Sequence, residues 1–400
     1  MSRILLAWEL GENLGHFSGI IPLAYELRKR GHEPVLCLRN LSRVASVAKG
    51  AEFPLLQAPI WPETPTATPP LTYAEMLISL GFNDAESLRS MLNAWRNLLI
   101  LAAPQLIIFD HAPTGLLASR GLQIPRALIG TGFFSPPRIT PFPPMRWWLQ
   151  HSAQQLAESE ARIRATVNEA LTRHAMAPLN QLYEIFDVEE DFLCTFLELD
   201  AYPQRETNAR YWGSRYLVGG GCDPVWPTGE GKCAFVYLDK NYVEVEKVLQ
   251  TLAQSSLRVL IYAPGLSEQL VVRYKSAKVN FVSERIELGK LAGQCDVGIC
   301  HANHGTASAL LMAGIPLLLL PIQLEHFLTG VNIQKMGAGL VVHPEAPAKD
   351  YSTPLNRLLT EAEFGEHARM FAAKYAQQSQ QQQVSKIADR CEELIASRRA

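Results

Sequence analysis

The residues of this chain that are best suited to chemistry lie in one segment, 295–341. In it, an apolar run at 297–300 precedes a polar turn and a helix start, and a second apolar run at 317–320 precedes another polar turn. The polar residues of the two turns are His301, Asn303, His304, Gly305, Thr306, Glu325 and His326. This order predicts that a histidine, a hydroxyl and free backbone N–H groups meet the positive end of a helix dipole. Such a helix end binds anions, above all phosphate.

Two further candidates follow apolar runs in the first half of the chain. His16 lies in the loop after the run at 4–8, and Asp110 ends the run at 105–109. A histidine there suits general-base catalysis near neutral pH. Since the ends of parallel strands lie side by side, we expect Asp110 to orient and stabilise the His16 imidazole. The alternatives are a locally bonded residue for His16 and a cap for the helix starting at Pro113 for Asp110.

Parallel strands are needed to position both groups. Apolar runs alternate with helical spacing along the chain, including a helix at 18–30 that Gly31 closes. The predicted strands are 4–8, 34–38, 105–109, 126–129, 234–238, 258–262, 279–282, 297–300 and 317–320. This alternation predicts an α/β fold with two Rossmann-like halves, whose ligands bind at the carboxyl ends of the strands.

The length of 400 residues predicts more than one domain. The predicted segments are an N-terminal domain at 1–217 with an insertion at about 130–205, a Gly/Pro-rich linker at 218–232, a C-terminal domain at 233–375 and a final helix at 376–400. The insertion contains a helical stretch at 147–173 and a cluster of aromatic residues.

Composition and missing motifs exclude several classes of protein. A net charge of −2 gives no footprint for nucleic acid. The seven cysteines are scattered without a CxxC pair, which indicates reduced thiols and no metal cluster. The sequence has neither the GxGxxG fingerprint of dinucleotide enzymes nor a P-loop. Since no apolar run is long enough for a signal peptide or a transmembrane helix, we expect a cytoplasmic protein.

Two stretches of the chain resemble the GT-B glycosyltransferases of the UDP-glycosyltransferase family, which includes bacterial macrolide-type and plant natural-product enzymes. The first stretch has Gly15-His16 with Pro22, followed by Arg30-Gly31-His32-Glu33. The second is similar to the H-G-G-x-G-T donor motif, the A-G-x-P turn at Gly314 and Pro316, and the D/E-Q pair of that family. The resemblance implies two Rossmann-like domains facing each other across a cleft, with the C-terminal helix packing back on the N-terminal domain.

The resemblance also implies roles for individual residues. His16 corresponds to the base that deprotonates the acceptor, and Asp110 to its partner. His301 corresponds to a contact of the donor diphosphate, and Gly305-Thr306 to the backbone and hydroxyl groups that hold phosphate oxygens. Glu325-His326 fall where the family contacts sugar hydroxyls, and Val282 falls near the base-binding segment. The expected donor is a UDP- or dTDP-type sugar, with no cofactor and no metal ion, since an Asp-x-Asp motif is absent.

The donor motif departs from the family pattern at several positions. Ala302 and Asn303 replace the motif glycines, and Asn303 offers an amide to the diphosphate or the sugar. His304 adds a side chain that can become cationic. Ala309 replaces a ribose-binding Glu, His326 a Gln, and Thr329 an Asn. The phosphate half of the site is therefore kept, whereas the ribose and sugar halves are altered.

The insertion supplies candidates for acceptor binding, namely Phe133, Phe134 and Trp147, which either form a wall for a small-molecule or lipid-like acceptor or pack as ordinary core. The predicted activity is inverting, metal-independent sugar transfer to an acceptor hydroxyl. Two alternatives remain. One is a nucleotide-sugar 2-epimerase, which needs carboxylates such as Glu9, Glu12 and Glu325 around the sugar. The other is a non-catalytic GT-B binding protein.

Overall fold

The computed structural model of this protein describes residues 1–11, 15–42, 53–61, 69–216 and 221–398. The chain divides into two compact units. The N-terminal unit comprises Met1–Thr195, Tyr202–Gly213 and Gln381–Ala400, and the C-terminal unit comprises Phe196–Ala201 and Ser214–Gln380. Of the predicted linker, 218–220 lie outside the described residues. The part from 221 on belongs to the C-terminal unit, where the Cys222 N–H donates to the Arg285 carbonyl at 2.8 Å.

The strands of the N-terminal unit are short, parallel and largely buried. They are β1 (Arg3–Trp8), β2 (Glu33–Leu38), β3 (Leu55–Gln57), β4 (Leu106–Asp110), β5 (Arg126–Gly130) and β6 (Glu190–Leu193). Within the described residues they form one six-stranded sheet in the order β3-β2-β1-β4-β5-β6. Among the residues described, the helices before β6 are α1 (Gly15–Lys29), α2 (Tyr73–Ser79), α3 (Ala85–Ala102), α4 (Pro113–Ala118) and α5 (Ala153–Thr172). A 3₁₀ turn at Leu182–Phe186 follows α5.

The C-terminal unit repeats this architecture. Its strands are β7 (Cys233–Tyr237), β8 (Arg258–Tyr262), β9 (Val279–Val282), β10 (Val297–Cys300), β11 (Leu317–Leu319) and β12 (Gly339–Val341). They are parallel and, among the residues described, form a six-stranded sheet in the order β12-β11-β10-β7-β8-β9. The helices are α6 (Val245–Gln254), α7 (Glu268–Tyr274), α8 (His304–Met312), α9 (Leu324–Lys335), α10 (Ser352–Thr360) and α11 (Ala362–Lys374). Short 3₁₀ turns lie at Leu197–Leu199 and Leu288–Leu291.

The predicted α/β fold with two Rossmann-like halves is confirmed, but the sequence patterns missed some elements. The strands β3, β6 and β12 have three or four residues each and are only partly buried, so that they lack a long apolar run. The predicted helix at 147–173 begins only at Ala153, because the Ser152 hydroxyl accepts the Gln155 N–H at 3.1 Å and caps the helix there. Where the chain is described, no helix combines the length and the apolar character needed to cross a bilayer.

The last helix, α12 (Gln380–Ser397), completes a core of the N-terminal unit. Its buried residues Ile387, Ala388 and Cys391 pack in one apolar cluster with Ile4 and Leu6 of β1. Burial of such side chains contributes roughly 25 cal/mol per Å² of apolar area removed from water. A strand from the start of the chain and a helix from its end therefore share one core.

The segment Arg30-Gly31-His32-Glu33 forms hydrogen bonds and ion pairs with α12. The Arg30 guanidinium donates to Glu26 at 2.9 Å, to Asp389 at 2.6 Å and to the Ser385 carbonyl at 3.0 Å. Between α1 and β2, Gly31 turns the chain with a φ of 85°, a conformation that suits glycine. The segment that resembles a family motif thus has a structural task within the N-terminal unit.

Replacing Arg30 with alanine should lower the free energy of unfolding of the protein by about 1–3 kcal/mol, because several partly buried bonds to α12 are lost together. Urea denaturation followed by circular dichroism measures the loss. Arg357→Ala is the matched control: its exposed bond joins the last turn of α10 to the C-cap residue Glu361, and exposed pairs of this kind contribute little to stability. Equal effects of the two substitutions would contradict the assignment.

Candidate functional site

His16 and Asp110 form a hydrogen-bonded pair at the carboxyl edge of the N-terminal sheet. β1 and β4 are neighbours, and Trp8 lies opposite Asp110 in their register. His16 is the second residue of α1, and its Nδ1 lies 2.8 Å from Asp110 Oδ1. Because a carboxylate only accepts, Nδ1 carries the proton and Nε2 is left as the basic nitrogen. The side chain of Asp110 is only 3% exposed and that of His16 is 19% exposed, so the base is accessible while its partner is shielded.

The helix-cap alternative for Asp110 is not what the structure shows. The first turn of α4 is capped by Glu9, whose carboxylate accepts the N–H groups of Thr114 at 3.1 Å and Gly115 at 3.2 Å. Glu9 also accepts the Trp61 indole N–H at 3.2 Å. Asp110 bonds to His16, and the Glu9 carboxylate is hydrogen-bonded to structural groups of the same unit. Glu12, the second carboxylate of the epimerase alternative, lies outside the described residues.

The loop after β1 shapes the immediate surroundings of His16. The Trp8 indole stacks on the imidazole with ring centroids 5.5 Å apart and planes 21° apart. Gly11 has a φ of 93°, and a Cβ built on it would lie 2.9 Å from His16 Nε2. A side chain at this position would be strained and would press on the basic nitrogen. Glycine is therefore required here by backbone geometry and by the space that His16 occupies.

Glu9 should make stability depend on pH. Burial raises its pKa from the usual 4.5 to about 7, although the bonds from Thr114 and Gly115 oppose the shift. Between these pH values the folded state binds more protons than the unfolded state. The contribution of Glu9 to the free energy of unfolding therefore falls as pH rises through this window, by on the order of 3 kcal/mol in total. From pH 4 to 8, the free energy of unfolding of wild type should fall more steeply with pH within this window than that of Glu9→Gln. Parallel curves would contradict the shift.

The three aromatic residues predicted to contact the acceptor differ in their contacts with His16. Phe134 lies next to the pair, with its ring 5.9 Å from that of His16, and it stacks flat on His111 at 3.5 Å. Phe133 is buried, and its carbonyl accepts the Tyr202 hydroxyl at 2.9 Å. Trp147 is half exposed and pairs edge-on with Trp148 at 5.5 Å. The structure therefore brings only Phe134, among these three, into ring contact with His16.

In the C-terminal unit, the His301 ring is hydrogen-bonded to the loops that follow two strands adjacent to its own strand, β10. His301 follows β10; its Nδ1–H donates to the Leu320 carbonyl after β11 at 2.7 Å. Its Nε2 accepts the backbone N–H of Asp239, after β7, also at 2.7 Å. Burial lowers the pKa of His301, which keeps it neutral. Both ring nitrogens are used within the unit, so a direct bond to a diphosphate requires the Asp239 bond to break.

Asn303 and His326 lie beside His301 and contact each other. Both the Asn303 amide nitrogen, at 3.3 Å, and the Gln323 amide nitrogen, at 3.0 Å, face His326 Nε2. Amide nitrogens only donate, so Nε2 accepts and Nδ1 carries the proton. Among the described residues, His326 Nδ1 and Asn303 Oδ1 are buried without a hydrogen-bond partner. Burial, with His301 nearby, lowers the pKa of His326 to about 3. The pair therefore offers one neutral donor and one acceptor.

The start of α8 differs from the expectation at His304. Its Nδ1 lies 3.1 Å from the Ser214 hydroxyl, and burial, followed by the charge of Arg215, lowers its pKa to about 4. His304 is thus neutral near pH 7 and is not the cation that the sequence suggested. A Cβ on Gly305 would lie 3.1 Å from the Arg215 carbonyl, so the missing side chain of Gly305 accommodates the neighbouring backbone. Thr306, the third residue of α8, is half-buried.

The N-terminus of α8 keeps the features of an anion site. Its N-cap residue, Asn303, makes no side-chain capping bond, and the first turn has no acidic residue. Glu325 lies in the first turn of α9 and is half-buried. Val282 ends β9 opposite Tyr262 of β8 in the register and is also half-buried. The predicted donor residues therefore lie at the carboxyl edge of one sheet.

Sequence reasoning missed three residues of these clusters. Asp239 binds His301 only through its backbone, which no side-chain pattern reveals. The sequence pattern predicts Trp8 only as the end of a strand, and its ring contact with His16 depends on the position of β1 in the sheet. His111 follows Asp110 directly in the sequence, and this adjacency was the available signal for its place in the site.

Comparisons with known proteins agree with this fold. The chain is 23% identical over 341 residues to a PGL/p-HBAD biosynthesis glycosyltransferase of Mycobacterium tuberculosis, covering 79% of this chain and 77% of the relative. The calicheamicin glycosyltransferase CalG4 is similar with a TM-score of 0.71 at 18% identity, covering 99% and 98% of the two chains. The glycosyltransferase VinC, solved in complex with dTDP, gives a TM-score of 0.69 at 15% identity, covering 98% and 100%. No protein-family model matches the chain.

The matched proteins share the GT-B fold and are named as glycosyltransferases. The solved structures cover almost the whole chain, and the architecture of two parallel six-stranded sheets is that of GT-B proteins. The M. tuberculosis relative matches over most of both chains. The predicted resemblance to the GT-B glycosyltransferases is therefore confirmed, and with it the prediction that the chain is an enzyme of the glycosyltransferase class.

Proposed function

We propose that this protein transfers a sugar from a nucleotide-diphosphate sugar to an acceptor hydroxyl, with inversion at the anomeric carbon and without a metal ion. The observation that carries the proposal is the bond of 2.8 Å between His16 Nδ1 and the shielded carboxylate of Asp110. A histidine held in this tautomer by a buried carboxylate has the arrangement of a general base.

The base acts on the acceptor. His16 Nε2 takes the proton of the acceptor hydroxyl, and Asp110 stabilises the imidazolium that forms. The acceptor oxygen then bonds to the anomeric carbon as the bond from that carbon to the diphosphate breaks, and the electron pair of that bond leaves with the diphosphate oxygen. One in-line displacement inverts the configuration. A positioned base contributes typically about 10²- to 10⁴-fold to such a step.

The diphosphate is stabilised by the start of α8. The uncapped first turn and the Thr306 hydroxyl supply donors, and the helix dipole favours negative charge. Since burial lowers the pKa of His301, His304 and His326, this stabilisation comes from oriented dipoles instead of imidazolium charge. The complex of VinC with dTDP supports a dTDP- or UDP-type donor. Val282, Glu325, His326 and Asn303 remain the candidates for contacts with the base and the sugar.

The acceptor is a small-molecule or lipid-like compound. Phe134 beside His16 supports an apolar or aromatic surface for it, with Phe133 and Trp147 as less direct candidates. The name of the M. tuberculosis relative places that protein in PGL/p-HBAD biosynthesis. Because the Phe134 ring favours an aromatic acceptor, phenols are the first acceptors to test.

The test is a transfer assay on the full chain. It combines dTDP- and UDP-sugars with phenolic acceptors, measures nucleotide diphosphate released only when the acceptor is present, and determines the anomeric configuration of the product by NMR. Retained configuration would overturn the mechanism. Isomerised free sugar without an acceptor would favour the epimerase alternative. If dTDP and UDP raise the unfolding temperature by mass action and no acceptor is glycosylated, the non-catalytic alternative is favoured.

A further inference from the structure

His111 is held in an unusual backbone conformation beside the proposed base. It is the first residue after β4 and directly follows Asp110. Its φ is 44°, in the left-handed region that few residues other than glycine adopt. Such conformations destabilise the folded chain and concentrate at functional sites.

The ring of His111 has unused polar groups. The residue is 9% exposed, and within the described residues neither Nδ1 nor Nε2 has a hydrogen-bond partner. A buried polar atom left without a partner destabilises the folded state. The fold therefore carries two costs at this one position, one from the backbone and one from the imidazole.

The environment of His111 fixes its charge and its orientation. The Phe134 ring stacks on the His111 ring with centroids 3.5 Å apart and planes 11° apart. The centroid of the His16 ring lies 6.1 Å from that of His111. Burial, followed by the proximity of His16, lowers the pKa of His111 well below its usual value, against the opposing influence of Asp110 and the Leu10 backbone; Arg39 adds to the lowering. The imidazole is therefore neutral near pH 7 and presents one donor and one acceptor.

We propose that His111 is a specificity-determining residue of the acceptor site, which binds an oxygen adjacent to the hydroxyl that His16 deprotonates. The substrate class is then a compound with two neighbouring oxygens, such as a catechol or another vicinal diol. This proposal rests on the proposed function of His16 as the base.

Chemistry supports this assignment over ordinary packing. A neutral imidazole beside the base can accept from the second hydroxyl or donate to it without competing for the proton that His16 removes. A site built to bond a substrate hydroxyl discriminates strongly against an analogue that lacks the group, because the buried polar atoms of the protein then stay unpaired. Phe134, stacked on His111, supplies a flat face for an aromatic acceptor.

The test compares wild type with His111→Phe, using 4-nitrocatechol and 4-nitrophenol as acceptors and one nucleotide sugar as donor. Phenylalanine keeps a flat ring against Phe134 and removes both nitrogens. The ratio of kcat/KM for 4-nitrocatechol to that for 4-nitrophenol should fall by about 10- to 100-fold. The unfolding temperature should stay equal or rise, since an apolar ring replaces unpaired polar atoms. The control is His151→Phe, the same exchange at a histidine that lies outside this cluster. It should leave the ratio unchanged.

An unchanged ratio in His111→Phe would overturn the proposal. If the variant also loses activity equally with both acceptors and has a lower unfolding temperature, the role of His111 is structural. Binding of 4-nitrocatechol, followed by its absorbance in equilibrium dialysis, separates this proposal from the proposed function. If wild type transfers sugar to neither acceptor but binds 4-nitrocatechol about tenfold more tightly than His111→Phe does, sugar transfer is refuted and the His111 contact stands.

Discussion

Replacing His16 with alanine should lower kcat for sugar transfer by about 10²- to 10⁴-fold, the range that a positioned general base contributes. The acceptor then has no group to take its proton as its oxygen attacks. Asp110→Asn should give a loss of similar size, because an asparagine no longer holds the tautomer in which Nδ1 carries the proton and no longer stabilises the imidazolium. Single-turnover kinetics with saturating donor measure both losses.

The pair should also behave as a unit. The double variant His16→Ala/Asp110→Asn should be little slower than either single variant, since Asp110 acts through His16. The unfolding temperature rise caused by dTDP or UDP should be unaffected in all three, and His151→Ala is the matched histidine control. Transfer by His16→Ala within threefold of wild type would refute the base assignment.

Replacing Asn303 with aspartate should weaken the binding of dTDP and UDP by about 100-fold, because a carboxylate then occupies the helix end proposed for the diphosphate. Asn303 is the N-cap residue of α8 and makes no capping bond there. Aspartate ranks with asparagine as an N-cap residue, and its charge is favourable at the positive end of the helix dipole, whereas the bond from the Asn303 amide to His326 is lost. Nucleotide binding should therefore fall without a large change in stability, and isothermal titration with thermal unfolding measures both.

The control introduces the same residue at a helix end in the other unit. Ser152→Asp replaces the N-cap of α5, retains a capping side chain and should leave nucleotide affinity unchanged. If Asn303→Asp binds dTDP and UDP as tightly as wild type, the diphosphate does not bind at the start of α8.

Long apolar runs made most of the fold predictable. The runs at 258–262, 279–282 and 297–300 became β8, β9 and β10 with the same limits. A buried parallel strand has no polar alternation, so such a run marks it clearly. The short strands β3, β6 and β12 carry no such mark, and they exist because a neighbouring strand offers an edge to pair with.

The residues that meet in each candidate site could be predicted where the order of the strands in the sheet could be predicted. His16 and Asp110 meet because β1 and β4 are adjacent, although 94 positions separate the two residues in the chain. Protonation was not predictable in the same way. The expected cationic character of His304 fails because burial and Arg215 oppose its charge, and burial depends on packing that a motif does not encode.

The position of α12 has a consequence for the order in which the protein can be made. A ribosome releases β1 long before α12, yet Ile4 and Leu6 share one apolar cluster with Ile387 and Cys391 of α12. Domains tend to fold in the order of synthesis, but the core of the N-terminal unit stays incomplete until α12 emerges. Throughout translation of the C-terminal unit, an apolar face of the nascent chain is therefore open to chaperones and to aggregation, and a premature stop before 380 would leave it open permanently.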